Sequence, residues 1–447
     1  MSIINSCSLL VRLKGELPPS GPFPSILQTA GGWYLPYAYP EYCHAHLGDR
    51  FTVYPLHKPP LVFLSDPQEI RAVLSTPSTA LHPGAGAEVL TPLIGDRAFM
   101  LLEEDAHIYG RKAITPAFHQ RMVREQTVML EDMVAREIAT WPLGAAFATH
   151  PCIRALTLRI ILRAIFSDTD AALGPLHQHL MEMLSVSSSL LLQERRLRHL
   201  PGWRTTWSRF AGQRRDVEGL IYGRINQRRA EGVTQPRDLL DMLLCAENAD
   251  GSPMPDRKIR DNLMAMIVAG HETTTGELAW ALQLLAHNPD VQDRLIEEID
   301  GGGGEEYLTA TVHETLRRKP VFLFAIPRKV IEPVEIGGWT YRPGVHLAAC
   351  TYLMHHNPEL YPEPQRFRPE RFIGQTQQAR TWLPWGGGRK HCLGRHFALL
   401  EVQSILREVL AGKRVLPAGD RVEAPRWRSA ILVPRSGGRV ILSERRA

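Results

Sequence analysis

The stretch WGGGRKHCLG, Trp385–Gly394, places three consecutive glycines, two cations, a histidine and a cysteine close together. Cys392 precedes a helix predicted over residues 398–410. The positive end of that helix dipole and the nearby backbone N–H groups are therefore expected to favour a thiolate over a thiol. The glycines 386–388 leave room for a flat ligand against the loop and permit unusual backbone angles.

A planar, dianionic, iron-containing ligand fits this composition. Arg389 and Lys390 would meet its anionic edge, and the Cys392 sulfur would bind its iron. An isolated glycine-rich turn beside a buried cysteine is more often an ordinary structural feature. The stretch therefore predicts a haem with Cys392 as axial thiolate only if the rest of the chain agrees.

Composition limits the classes of protein to which the chain can belong. Its 447 residues are 44% hydrophobic and 22% charged, with a formal net charge of +5. This charge is too small for a dedicated nucleic-acid-binding protein. The six cysteines are scattered, as in a reduced cytoplasmic protein. The first apolar run is broken by Arg12 and Lys14, so no membrane anchor is expected.

Helical periodicity dominates the chain after residue 67. We expect a β-rich N-terminal portion over about residues 30–75, with a hairpin at Arg50–Asp66, followed by helices and short β hairpins such as that around Val334–Leu347. The longest predicted helix, Ile259–Ala286, would run roughly 40 Å through the centre of a domain. The predicted fold class is mainly α with a smaller β portion.

Further motifs accompany the cysteine stretch in a fixed order: HIYGR at 107–111, AGHETT at 269–274, ETLR at 314–317 and FRPERF at 367–372. Together the set resembles the cytochrome P-450 superfamily of soluble, bacterial type. The resemblance extends from about residue 30 to the C-terminus. It implies the cytochrome P-450 fold, with a long central helix over haem b, in a single domain over residues 1–447 without a fused reductase.

The family's cysteine signature corresponds to Trp385, Gly388, Lys390, Cys392 and Gly394, with Trp385 in place of the usual Phe and Lys390 in place of the usual Arg. The second difference leaves open whether Lys390 or its neighbour Arg389 reaches a haem propionate. The resemblance implies the following haem-binding residues: His107, Arg111, Ala269, Thr273, Arg328, Pro384, Trp385, Gly386, Lys390, Cys392 and Gly394.

Three of these residues are the implied propionate ligands. His107 and Arg111 are spaced i and i+4, so they share one face of a predicted helix, and Arg328 supplies a third cation. Without the other motifs, His107 and Arg111 would be read as a solvated helical face.

Glu314 and Arg317 lie one helical turn apart, and Arg371 in the PERF segment can complete a carboxylate and guanidinium network. By resemblance, this is the family's structural triad, which holds the cysteine loop without touching substrate.

Glu272 and Thr273 are the predicted catalytic residues. Thr273 follows Ala269 by four residues, so its hydroxyl can compete for that carbonyl and loosen the helix, and Gly270 weakens the same turn. By resemblance, an acid beside an alcohol at this place relays protons to oxygen bound at the haem. Taken alone, AGHETT is more often a buried helix that tolerates Thr for packing and exposes Glu.

The predicted substrate contacts are mostly apolar: Met264, Val268, Phe322, Phe324 and Ala430. They indicate a lipophilic small molecule such as a terpenoid, steroid, polyketide or fatty acyl compound, of the kind met in secondary metabolism, which would be hydroxylated or epoxidised with O2. Nothing in the sequence separates these classes.

Electrons would come from NAD(P)H through a ferredoxin and ferredoxin reductase, or a flavodoxin-type protein. We expect a monomer whose docking surface, on the cysteine side, comprises Lys112, Arg389, Lys390 and Arg395. Two alternatives stay open: a peroxide-dependent or isomerase-type haem-thiolate enzyme, against which Glu272 and Thr273 argue, and a haem-binding sensor without turnover.

Overall fold

Helices form most of the computed structural model, which describes residues 17–119, 122, 124, 126–187, 201–248, 250–302, 304–374 and 381–445. The α-helices are α1 (Ser25–Tyr34), α2 (Ala38–Leu47), α3 (Pro67–Ser75), α4 (Thr91–Ile94), α5 (Glu104–Ile114), α6 (Thr127–Ile138), α7 (Thr149–Phe166), α8 (Asp170–Ser187), α9 (Pro201–Glu231), α10 (Leu239–Leu244), α11 (Asp256–Ala286), α12 (Pro289–Gly301), α13 (Glu306–Arg318), α14 (Thr351–His355) and α15 (Arg395–Gly412).

The strands are short and form small sheets. They are β1 (Arg50–Val53), β2 (Leu61–Leu64), β3 (Leu81–His82), β4 (Ala146–Ala148), β5 (Arg328–Val330), β6 (Val334–Ile336), β7 (Trp339–Tyr341), β8 (His346–Ala349), β9 (Lys413–Pro417), β10 (Pro425–Arg428), β11 (Ile431–Pro434) and β12 (Arg439–Glu444). The predicted fold class, mainly α with a smaller β portion, is confirmed.

The largest sheet joins distant parts of the chain in the order β1-β2-β8-β5-β3. Strands β1 and β2 form the antiparallel hairpin that the sequence predicts, and β2 pairs in parallel with β8. The other sheets are β4-β12-β9 and the hairpins β6-β7 and β10-β11. These pairings hold the N-terminal hairpin against β8 and the C-terminal strand β12 against β9 and β4.

The N-terminal portion is less rich in strand than predicted. Between residues 30 and 75 the hairpin is flanked by α1, α2 and α3. Helix α3 begins after Asp66, whose carboxylate accepts the backbone N–H groups of Gln68 and Glu69 at 2.8 and 2.9 Å, and Pro67 occupies the first turn. Such N-capping favours helix locally, so the expectation of a β-rich segment holds only for the hairpin.

Helix α11 lies at the centre of the largest apolar core. Its 31 residues span about 46 Å, and its side chains are buried along most of the length between Ile259 and Ala286. It packs against α7, α13, α15 and the strand β11. The helix ends at His287, since Asn288 precedes Pro289 and adopts a non-helical conformation. The predicted long central helix is thus present, three residues longer at its N-terminal end.

No helix in the described ranges combines the length and the apolar character that a bilayer span requires.

Candidate functional site

An internal cavity lies between α11 and the segment Leu383–Gly394, hereafter the cysteine loop. The residues predicted to bind haem all line it: His107, Arg111, Ala269, Thr273, Arg328, Pro384, Trp385, Gly386, Lys390, Cys392 and Gly394. The folded chain therefore brings together residues that are spread over nearly 300 positions of the sequence.

Positive φ angles shape the cysteine loop. Gly386 and Gly388 have φ values of 67° and 69°, a region that residues with a Cβ rarely adopt. The turn is closed by a hydrogen bond in which the Cys392 N–H donates to the Trp385 carbonyl at 2.8 Å. The loop thus curls back on itself and presents Cys392 to the cavity.

Close packing against α3 explains two of the three glycines. A Cβ on Gly387 would lie 2.7 Å from Leu74 Cδ1, and one on Gly388 would lie 2.5 Å from the Leu74 carbonyl oxygen. No atom lies within 4 Å of a Cβ built on Gly386. Only Gly386 therefore matches the expectation of open space for a flat ligand, because Gly387 and Gly388 make room for a helix.

Cys392 is not a preformed thiolate. Burial raises the pKa of its thiol, and this effect outweighs the Gly394 N–H group and Arg111, which both favour the thiolate. The expectation from the helix dipole was therefore wrong about the net direction, because burial outweighs the dipole, although α15 begins at Arg395, three residues nearer to Cys392 than predicted. A bound metal cation deprotonates a coordinating thiol outright, so this result leaves iron ligation by Cys392 open.

Cations converge on the cavity from separate elements. Arg111 on α5 donates to the His391 carbonyl oxygen at 2.9 Å and contacts the His391 ring at 3.0 Å. Arg328 on β5 donates to the carbonyl oxygens of Ile326 and Gly387 at 3.0 and 3.2 Å. A guanidinium has five N–H groups, so both arginines retain donors that can reach an anionic ligand.

His107 connects α5 to two other segments that border the cavity. Its Nδ1 lies 2.9 Å from the Phe99 carbonyl oxygen and its Nε2 lies 3.4 Å from that of Arg389. Burial lowers the pKa of His107 despite these two carbonyls. The residue is therefore neutral at neutral pH.

Lys390 and Arg389 point in different directions. The Lys390 side chain is only 6% exposed, lines the cavity, and donates to the carbonyl oxygens of Met100 and Leu102 at 2.9 and 2.6 Å. Its Nζ also lies 3.5 Å from Glu103 Oε2. Arg389 is exposed. Lys390 therefore does not belong to the predicted docking surface, because its ammonium group is directed inward.

The predicted triad assembles beneath the cysteine loop. The Arg317 guanidinium binds both oxygens of Glu314 at 2.7 and 2.8 Å, and Arg371 Nε lies 3.4 Å from Glu314 Oε1. Arg317 also donates to the carbonyl oxygens of His355 and Pro364. The network joins α13 to the segment that leads into the cysteine loop, since the His355 ring in turn accepts the Leu383 N–H at 3.0 Å.

Thr273 makes the predicted bond within α11. Its hydroxyl donates to the Ala269 carbonyl oxygen at 2.7 Å. Thr274 and Thr275 make the same kind of bond one turn back, at 3.3 and 2.8 Å. Thr273 is only partly buried and faces the cavity. The helix nevertheless continues without a break to Ala286.

Glu272 is held by two arginines that the sequence analysis missed. Arg154 on α7 donates to Oε1 at 3.0 Å, and Arg428 at the end of β10 donates to Oε2 at 3.3 Å. Burial would raise the pKa of Glu272, but nearby His271, Arg154 and Arg428 outweigh burial and lower it to about 2. Glu272 is therefore a carboxylate at neutral pH.

A signal for Arg154 was present in the sequence. It interrupts the apolar face of the helical segment CIRALTLRIILRAIF, and buried arginines are normally paired. Arg428 carried no comparable signal, because it is one of several arginines near the C-terminus.

Four of the five predicted substrate contacts line the cavity: Val268, Phe322, Phe324 and Ala430. Met264 does not, and instead lies 1% exposed in the apolar core. The cavity-facing arc of α11 begins with Ala265 and Met266, and Met264 falls just outside it at 100° per residue. Met266 is the methionine that lines the cavity.

Comparison with known proteins is consistent across the whole chain. The sequence model for cytochrome P450 matches residues 16–442. A protein of Mycobacterium tuberculosis provisionally named cytochrome P450 135B1 is 34% identical over 413 residues, which cover 89% of this chain and 85% of that protein. Another from that species, provisionally named cytochrome P450 135A1, is 31% identical over 445 residues, or 97% of each chain.

Solved structures show the same fold. A retinoic acid-bound cyanobacterial CYP120A1 superposes with a TM-score of 0.82 at 19% identity, covering 96% of this chain and 99% of that one. The cytochrome P450DA heme domain also gives 0.82, at 20% identity, covering 96% and 98%. The fold that the motifs predicted is confirmed.

Proposed function

Because the chain belongs to the cytochrome P450 family, we propose that it is a haem-thiolate monooxygenase that uses O2 to hydroxylate or epoxidise a lipophilic small molecule. One observation carries the proposal: Cys392 lines the same cavity as the pair Glu272 and Thr273 of α11. A thiol and a proton-handling pair are thus directed at one enclosed space.

The residues present fit a haem b. The open space beside Gly386, the single thiol of Cys392 and the surrounding cations match its flat shape, its iron and its two propionates. We propose that Arg111 and Arg328 bind the propionates with their remaining donors, and that neutral His107 joins them by turning its Nε2 from the Arg389 carbonyl oxygen, which lies 3.4 Å away. The three donors of Lys390 face Met100, Leu102 and Glu103, so Lys390 would contribute its charge and no direct hydrogen bond.

The bound haem would supply oxygen binding and activation, and the protein must then deliver protons. Thr273 Oγ1 can turn from the Ala269 carbonyl oxygen to donate into the cavity. Since Glu272 is ionised, it would orient a water molecule or accept a proton, and would not arrive as an acid. Arg154 and Arg428 hold its carboxylate in place.

The apolar lining supports the substrate class. Val268, Phe322, Phe324 and Ala430 surround the open part of the cavity without contributing a charge. We propose a terpenoid, steroid, polyketide or fatty acyl substrate of the kind met in secondary metabolism, oxidised by a monomer in the cytoplasm.

Electrons would come from NAD(P)H through a ferredoxin and its reductase or through a flavodoxin-type protein. Lys112, Arg389 and Arg395 are exposed residues around the cysteine loop, and they form the proposed docking surface once Lys390 is removed from it.

A spectroscopic experiment tests the central proposal. The purified protein is loaded with haem, reduced and exposed to carbon monoxide, and we expect the strongly red-shifted Soret band of thiolate-ligated haem. Cys392→Ser should lose that band and keep bound haem. A well-folded, haem-loaded wild type without the band would overturn the proposal, and turnover with peroxide but never with redox partners would replace it by a peroxygenase.

A further inference from the structure

The first turns of α11 pack against one wall of the cavity. This wall is the segment of residues 93–99, hereafter the pocket wall. Three of its side chains line the cavity: Leu93, Ile94 and Phe99. Asp261 and Asn262 face the pocket wall from α11, and both are fully buried. Neither of these two residues lines the cavity itself, so any effect that they have on a ligand must act through the pocket wall.

Backbone N–H groups of the pocket wall donate to these two side chains. The Arg97 N–H donates to Asp261 Oδ2 at 2.8 Å, and the Phe99 N–H donates to Asn262 Oδ1 at 2.9 Å. The second bond is buried, and a buried N–H group that loses its acceptor is costly. The two bonds therefore favour a single conformation of the pocket wall.

The Asp261 carboxylate lies directly against the backbone of the pocket wall at Gly95. The φ of Gly95 is 86°, and a Cβ there would lie 2.2 Å from the carboxylate. Both the conformation and the contact exclude a side chain at this position. The carboxylate is itself held by Arg260, whose Nη2 lies 2.9 Å from Oδ1 and whose Nη1 donates to Glu218 on α9 at 2.7 Å. The pocket wall is thus packed against a fixed group.

Phe99 is held from two sides. Its N–H donates to Asn262, and its carbonyl oxygen lies 2.9 Å from Nδ1 of His107 on α5. A Cβ on Gly110 would lie 2.7 Å from Phe99 Cβ, so α5 packs closely on this residue as well. Phe99 is 5% exposed, and its side chain lines the cavity. Its backbone therefore cannot move away from a ligand without breaking buried contacts.

The helix that holds the pocket wall also carries Thr273, which faces the cavity. Thr273 follows Asn262 by eleven residues of uninterrupted helix, which correspond to about 16 Å along the axis. A single rigid element therefore sets the distance between the pocket wall and the residue proposed to deliver protons.

We propose that Asp261 and Asn262 are positioning residues that determine ligand specificity, because they hold the pocket wall at a fixed place relative to the reacting end of the cavity. The protein then selects a lipophilic molecule by the length that fits between Phe99 and the haem. The selection of a substrate rests on the proposed function. The fixed position of the pocket wall does not, and it can be measured without turnover.

Amide hydrogen exchange of the full-length protein tests whether the two side chains hold the pocket wall. Asn262→Leu and Asp261→Ala should each speed exchange at residues 95–99 by about tenfold, as for the loss of a buried hydrogen bond, and either serves if the other does not fold. Asn262→Asp and Asp261→Asn keep an acceptor oxygen and should retain slow exchange. Arg257→Gln is the matched control, because the exposed pair Arg257 and Asp96 joins the same helix to the same wall at the surface. Unchanged exchange in Asn262→Leu and Asp261→Ala would overturn the proposal.

Ligand selectivity gives an independent measurement on the haem-loaded protein. The probes are n-alkylimidazoles of increasing chain length, which bind haem iron at one end and extend the alkyl tail into the cavity. In wild type the shift of the ferric haem spectrum should show a sharp affinity optimum at one tail length. Asn262→Leu should reduce the ratio between the best and the worst Kd by about tenfold, and Asn262→Asp should restore it.

Two outcomes separate this inference from the proposed function. If Asn262→Leu weakens all tail lengths equally, the residue stabilises the protein without determining specificity, and the inference is wrong. If the protein binds no haem but residues 95–99 exchange faster in Asn262→Leu, the pocket wall is held as proposed and the monooxygenase proposal fails.

Discussion

Glu272 and Glu277 lie on the same helix, are both buried, and differ in charge. Glu272 accepts hydrogen bonds from Arg154 and Arg428, and its pKa lies near 2. Among the residues that the structure describes, no cation is seen to bind Glu277, and burial raises its pKa to about 8. Burial acts in the same direction on both, so the difference comes from the groups around Glu272, since His271, Arg154 and Arg428 all lower its pKa.

The comparison shows that the charge of a carboxyl in this pocket is set by segments far from α11 in the sequence. Arg154 comes from α7, and Arg428 comes from the hairpin β10-β11, whose turn at Ala430 also lines the cavity. Two identical side chains on one helix can therefore take different parts in proton handling. Glu272 is an anion at neutral pH, whereas burial favours the protonated form of Glu277.

The largest expected effect comes from removing a partner of Glu272. Arg154→Met should leave Glu272 with a single guanidinium and destabilise the protein by about 3–5 kcal/mol, as for other broken buried ion pairs. Chemical unfolding of the haem-loaded protein measures the change. The double variant Arg154→Met with Glu272→Gln should recover part of the loss, because the stranded charge is gone. Equal stability of Arg154→Met and wild type would show that the ion pair between Arg154 and Glu272 does not stabilise the protein.

The pH dependence of stability sharpens the comparison. Glu277 has its folded pKa raised from 4.5 to about 8, so the folded state holds a proton that the unfolded state has lost. The free energy of unfolding of wild type should therefore fall relative to that of Glu277→Gln between about pH 5 and 8, by up to about 1.4 kcal/mol per pH unit. Above about pH 8 the difference between the two proteins should stay constant.

Glu272 serves as a control, because its contribution to stability should depend on pH in the opposite direction. Its folded pKa is lowered from 4.5 to about 2, so its stabilising contribution is present above pH 4.5 and is lost as the pH falls toward 2. Wild type should therefore lose stability relative to Glu272→Gln only in acid. Parallel pH profiles for the two Gln variants would contradict the assignment of opposite charges.

Thr273 lies between the two glutamates, and its removal tests which protons matter. Thr273→Ala should reduce product formed per electron consumed by about 10–100-fold, since a proton-transfer group is lost, and leave the haem spectrum intact. Thr275→Ser is the matched control, because Thr275 also bonds a carbonyl one turn back but does not line the cavity. Unchanged coupling would place proton delivery elsewhere.

The smallest effect is expected from exposed charges, which stabilise little. Arg389→Gln should slow reduction by a ferredoxin about two- to fivefold at low salt and leave unfolding unchanged. Arg215→Gln, an exposed arginine on α9, should not slow it. The reduction rates of wild type and Arg389→Gln should converge as salt screens the surface charges. A wild-type rate that does not depend on salt would contradict electrostatic steering of the ferredoxin.

Local patterns predicted the fold, and the residues that the motifs predicted to bind haem all line the cavity. Apolar periodicity located α11 within three residues, and short motifs identified the cysteine loop, the triad and the cations that meet at one cavity. These features depend on residues near one another in sequence, or on motifs with a fixed order.

Features that depend on long-range contacts could not be predicted. The direction of Lys390 is set by carbonyl groups of Met100 and Leu102, and the charge of Glu272 by Arg428. The pKa of the Cys392 thiol depends on the balance between burial, which raises it, and a helix dipole, which lowers it. Sequence patterns do not give the relative size of these two effects.

The contact between the cysteine loop and α3 has a consequence for biosynthesis. Gly388 packs directly on the Leu74 carbonyl, more than three hundred residues earlier in the chain. Such distant contacts form slowly, so the iron-binding turn reaches its final shape only after both segments have been synthesised and have met. The helices before residue 388 should therefore form on the nascent chain earlier than the turn that binds iron.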